Sequence, residues 1–152
     1  ADPAAAAAAT GAGRLHRWAL DPAARSVREE RLDDRDVEFP THDDTRTGRS
    51  HRCLWTVSGS ALVKHDVHTG EVRVRELGER SAPGEAVFVP ARGARREDDG
   101  WLLSLVSDRA GGPARLLVLD AADLAVQAEV ELPRRVPAGF HGSWIPEPTS
   151  QH

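Results

Sequence analysis

The sequence has one cysteine, Cys53, no methionine and no tyrosine. A single thiol excludes an internal disulfide framework and a cysteine-rich zinc site. Only one lysine is present, Lys64, so arginine carries nearly all the positive charge. The formal net charge is −4, and no basic tract offsets it. Nucleic-acid binders cluster Lys and Arg against phosphates, so that class is not expected. No apolar run approaches the roughly 18 residues of a membrane-spanning helix. A soluble, cytoplasmic protein is the resulting expectation.

What is present amounts to one domain's worth of chain, 152 residues. It starts at Ala1 with ADPAAAAAATGAG, which lacks the basic and apolar regions of a secretory signal. Residues 1–13 are expected to be a flexible Ala/Gly-rich leader. The start without methionine suggests a stretch of something longer. Residues 14–145 are expected to form the folded part, and 146–152 a tail.

From Leu15 onward the pattern is β, with short apolar or alternating runs between turn residues. The candidate strands are Leu15–Leu20, Ser26–Leu32, Arg52–Ser58, Ala61–Val67, Glu71–Leu77, Ala86–Pro90, Trp101–Ser107, Ala114–Asp120, Val126–Leu132 and Phe140–Trp144. Val72 and Val74 alternate with Arg73 and Arg75, which predicts one apolar and one wet face. Leu116–Leu119 is continuously apolar, as in a strand covered on both faces. Asp33–Ser50 and Ala91–Gly100 are expected to be long loops.

A unit recurs at Asp21, Asp66 and Asp120. Each has a strand ending in Asp, a short turn, and a second strand running to Leu. The Asp carboxylate can accept the turn's backbone N–H groups. Repeats of roughly 40–50 residues with several strands each suggest propeller blades. Ordinary hairpins of a β-sandwich are the plainer alternative.

Seven histidines are present, none in an HxxxH or HExxH pair. His65 and His68, at a strand end and in a turn, are expected to be solvated. His42 and His51 could order the first long loop, and His152 lies at the terminus. His141 differs, because it sits in Phe140-His141-Gly142 with Trp144 close behind. The residues alone favour a buried, hydrogen-bonded structural imidazole. Metal ligation is the lesser reading, because one imidazole cannot hold a metal. Glu38 and Glu85 both precede strongly apolar residues. Each is either a strand-edge carboxylate with its head in water or a buried partner for an imidazole N–H.

Taken in order, several segments resemble one family. They are Glu38-Phe39-Pro40, Gly48-Arg49 with His51-Arg52, Pro83-Gly84-Glu85-Ala86-Val87-Phe88-Val89-Pro90, Glu97-Asp98-Asp99-Gly100-Trp101-Leu102, Leu117-Val118-Leu119-Asp120, and Gly139-Phe140-His141-Gly142. Together they resemble the C-terminal part of the carotenoid cleavage oxygenases. The resemblance implies an all-β fold, the C-terminal blades of a seven-bladed β-propeller. It implies Fe(2+) on the propeller axis, held by four histidines and no carboxylate. His141 matches the last of those ligands, while Glu38 and Glu85 match glutamates that hydrogen-bond to ligand histidines. No other histidine here matches the remaining three. The implied reaction is oxidative cleavage of a conjugated C=C bond in a carotenoid, apocarotenoid or stilbene. Its partners would be that lipophilic substrate, dioxygen and the remaining blades, with room for peripheral membrane contact. This chain alone is expected to be inactive. The alternative is a non-catalytic propeller binding module or truncated remnant.

Overall fold

The computed structural model describes residues 13–137, 139 and 141–147. Most of the expected 1–13 leader and of the 146–152 tail therefore lies outside the described residues. Among the described residues there are eleven strands, one 3-10 turn (Asp44–Arg46) and no α-helix. The strands are β1 (Arg14–Asp21), β2 (Ser26–Asp36), β3 (Glu38–Thr41), β4 (Cys53–Ser58), β5 (Ala61–Asp66), β6 (Val72–Glu76), β7 (Ser81–Pro83), β8 (Val87–Pro90), β9 (Gly100–Asp108), β10 (Arg115–Asp120) and β11 (Val126–Glu131).

They form three antiparallel sheets, each holding one of the recurring Asp turns. The first is the β1–β2 hairpin, the second has the order β3-β4-β5-β6, and the third runs β11-β10-β9, with β7 and β8 both pairing with β9.

The repeated aspartate turns form as their chemistry requires. Asp21 Oδ1 accepts Ala24 N–H at 2.9 Å. Asp66 Oδ1 accepts His68 and Thr69 N–H at 3.0 and 3.1 Å. Asp120 Oδ1 accepts Ala122 N–H at 2.8 Å. The fourth residue after each aspartate has positive φ: Arg25 at 52°, Gly70 at 76° and Leu124 at 64°. The carboxylate and its turn, rather than a glycine, define this hairpin.

The core lies between the second and third sheets. Cys53, Trp55, Val57 and Leu62 meet Phe88, Leu102, Leu117, Leu119 and Leu124. Trp55 stacks on Phe88 with centroids 4.9 Å apart and planes 8° from parallel. Its Nε1 donates to Ala121 O at 3.1 Å, which satisfies the one polar group that burial would strand. Leu117 and Leu119 are buried while Leu116 and Val118 are half-buried, so β10 is partly covered on both faces.

Three expectations fail here. The expected Asp33–Ser50 loop contains the end of β2, all of β3 and the 3-10 turn. Of the expected strand Phe140–Trp144, Phe140 lies outside the described residues, and 141–144 pair with no strand. His65 is buried rather than solvated. The apolar face of β6 is partly covered, with Val72 half-buried and Val74 exposed. The first sheet leaves Trp18, Leu20 and Val27 exposed, as a blade without its neighbour would.

Candidate metal centre

Glu85 lies in the Gly84–Ala86 link between β7 and β8, and its side chain is 12% exposed. Both its oxygens reach the chain segment beyond β11. His141 Nδ1 lies 3.3 Å from Glu85 Oε1, and Gly142 N–H donates to Oε2 at 2.6 Å. A carboxylate can only accept, so in the neutral ring this contact favours the tautomer with the proton on Nδ1 and the lone pair on Nε2. His141 is 78% exposed, which corrects the expectation of a buried structural imidazole. A metal-ligating histidine presents this arrangement, with one nitrogen held by a carboxylate and the other facing outward.

Gly142 packs closely on β8: a Cβ there would lie 3.2 Å from Val87 Cγ2, so Val87 would have to give by a few tenths of an ångström. Phe39 completes the surroundings, with its ring edge-on to the imidazole at 6.2 Å between centroids. In that motif Glu38 is the residue its type marks out in the sequence, whereas Phe39 and the Gly142 N–H carry no such mark. The glycine flanking His141 was a signal for close backbone approach, but the partner could not be read locally.

Glu38 is exposed on β3 opposite Val57 and accepts no imidazole N–H among the described residues. The structure thus brings Glu85 and His141 together and leaves Glu38 apart. Among the described residues, no group of three or more His, Cys, Asp or Glu side chains is placed to hold a metal.

His65 shows the contrasting, structural use of a histidine. Thr56 Oγ1 lies 2.9 Å from His65 Nε2, and Asp33 Oδ2 lies 3.4 Å from Nδ1. Burial pushes this imidazole below its ordinary 6.5, against the opposing pull of Asp33, so it is neutral near pH 7. Both nitrogens are used, and the residue ties β2 to the second sheet. His16 pairs with Glu29 across the β1–β2 hairpin, a local cross-strand contact. His42 and His51 stack at 4.7 Å within the loop they order. His68 is exposed in its turn, as expected.

The acidic run before β9 is structural as well. Glu97 Oε1 accepts Arg52 and Cys53 N–H, both at 2.7 Å. Asp98 Oδ2 accepts from Lys64 Nζ at 2.6 Å. Asp99 accepts the Arg96 and Arg95 N–H groups and the Arg96 guanidinium, which hold its carboxyl down at about 2.

The family model for retinal pigment epithelial membrane protein matches residues 1–146. The chain belongs to this family. A carotenoid cleavage oxygenase of Mycobacterium tuberculosis is 41% identical over 145 residues, covering 87% of this chain and 29% of that protein. The apocarotenoid-15,15'-oxygenase of Synechocystis is 32% identical over 143 residues, again covering 87% of this chain and 29% of its own length. Cobalt-substituted Synechocystis ACO superposes with a TM-score of 0.84 at 32% identity, covering 88% of this chain and 30% of that one. The chain is therefore part of a propeller of this family, and the family is one of metalloproteins. The chain spans about 29% of the length of these curated relatives.

Proposed function

We propose that this chain contributes one iron ligand, His141, to a non-haem iron(II) dioxygenase of carotenoid-oxygenase type. The observation that carries the reading is the two-point grip of Glu85 on the His141 ring and the Gly142 amide. A plain surface histidine needs no such anchor 56 residues away in the chain.

When bound, iron(II) supplies a redox-active centre at which dioxygen and an alkene meet, with two carbonyl products as the outcome. The chain's own residues do simpler things. Glu85 holds the imidazole proton at Nδ1, so the Nε2 lone pair is available for a cation. Its negative charge, close to but not on the cation, offsets charge that neutral imidazoles leave uncompensated. Gly142 lets the segment lie against Val87 and brings His141 to the edge of the third sheet. Three further imidazoles come from blades outside this chain, and Glu38 serves one of them. Substrates are carotenoids, apocarotenoids or stilbenes. The setting is cytoplasmic, with peripheral membrane contact for substrate uptake. The chain by itself is inactive.

The test is product analysis. The complete protein, loaded with Fe(2+), is incubated in air with a carotenoid, an apocarotenal and a stilbene. Two carbonyl fragments in equal amounts from at least one of them is expected. Metal-loaded protein that cleaves none of the three overturns the reading.

A further inference from the structure

Phe39 stands in a backbone conformation that its side chain disfavours. Its φ is 53°, in the left-handed region where a Cβ crowds the neighbouring carbonyl and a bulky residue is an outlier. It also precedes Pro40, and a residue before proline is pushed toward extended backbone. The position coincides with a slip in pairing. Glu38 faces Val57 and Thr41 faces Trp55, so β3 carries one residue more than β4 over the same span. This is a β-bulge, which re-aims side chains and recurs beside functional sites. The re-aimed ring packs on the core cluster and meets the His141 imidazole edge-to-face, with planes at 89°.

We propose that Phe39 is a positioning residue for His141. This rests on the reading of His141 as a ligand. Glu85 holds the ring at one atom, Nδ1, and one contact leaves the imidazole free to swing about that point. The Phe39 ring removes this freedom and fixes the plane in which Nε2 lies. A strained residue persists where the surrounding structure over-determines it, and here that structure is the bulge together with the core beneath it.

The experiment compares Phe39→Leu and Phe39→Tyr in the complete protein. The readouts are nitrogen-15 NMR of selectively labelled histidine in the metal-free form and titration with Co(2+). Phe39→Leu keeps apolar bulk but loses the flat ring. It should shift His141 from a single Nδ1–H tautomer to an averaged signal and lower Co(2+) affinity about tenfold, at the low end for such supporting contacts. Phe39→Tyr keeps the ring and should restore both readouts. The proposal is overturned if Phe39→Leu leaves the His141 signal unchanged, or if Phe39→Tyr fails to restore it. Unchanged Co(2+) affinity in His141→Ala would instead remove the ligand reading. The NMR comparison on metal-free protein decides the role of Phe39 in either case.

Discussion

The Glu85 carboxylate accepts the Gly142 N–H at 2.6 Å while its other oxygen sits 3.3 Å from the His141 ring. One side chain therefore sets both the path of the backbone and the tautomer of the imidazole. Glu85→Gln keeps the shape but offers an amide N–H₂ where one of the two acceptors stood. In the complete protein it should weaken metal binding by roughly 10–100-fold with the fold retained. Metal titration followed by circular dichroism checks this, and an unchanged affinity contradicts it.

Lys64 and Asp98 form a buried pair whose side chains are 9% and 10% exposed. Lys64 Nζ also donates to Ala122 O at 2.9 Å, which joins the second and third sheets. Removing one partner leaves a buried charge alone, so Asp98→Leu should cost about 3–5 kcal/mol. The double variant Lys64→Met with Asp98→Leu should recover most of that loss. Urea unfolding of the three proteins measures the coupling.

His65 makes stability depend on pH. Burial lowers its pKa below 6.5. As pH falls through that value the unfolded chain takes up a proton that the folded chain resists, so stability drops on acidification. The loss begins near 6.5 and continues down to the folded-state value. The aspartates Asp33, Asp66 and Asp98 are held below 3.8, far from the pH at which this loss begins. Melting temperatures taken across it should fall more steeply for the native sequence than for His65→Gln. Parallel curves would show that His65 is not the cause.

Gly100 opens β9 where no side chain fits. A Cβ would overlap Val89 O and lie 2.9 Å from two carbons of the Phe88 ring. Gly100→Ala should destabilise by about 1–3 kcal/mol through overpacking. Because Phe88 stacks on Trp55, the near-ultraviolet tryptophan signal should change as well. A variant with native stability and an unaltered spectrum would argue against this packing.

The parts of this fold legible in the sequence are those whose chemistry is local. The hairpins at Asp21, Asp66 and Asp120 carry their own turn-closing carboxylates, so β1–β2, β5–β6 and β10–β11 could be placed without knowing their neighbours. β3 was illegible because its bulge and Pro40 break the alternation that marks a strand. His65 looked solvated because the group that covers it, Asp33, comes from a different sheet. Residues 140–144 had strand-like composition, but the 141–142 segment is held by the Glu85 carboxylate rather than by a neighbouring strand. His141 and Glu85 were each picked out through the motif resemblance, but their pairing was not, because 56 residues separate them in the chain. Phe39 escaped because nothing in its spacing announces a left-handed backbone.

The central claim is that His141 donates Nε2 to a metal. The most direct measurement is iron content after anaerobic Fe(2+) loading of the complete protein, native and His141→Ala, with folding checked by circular dichroism. Close to one iron per native molecule and a loss of most of it in the folded variant is the predicted result. Equal iron in both would contradict the account.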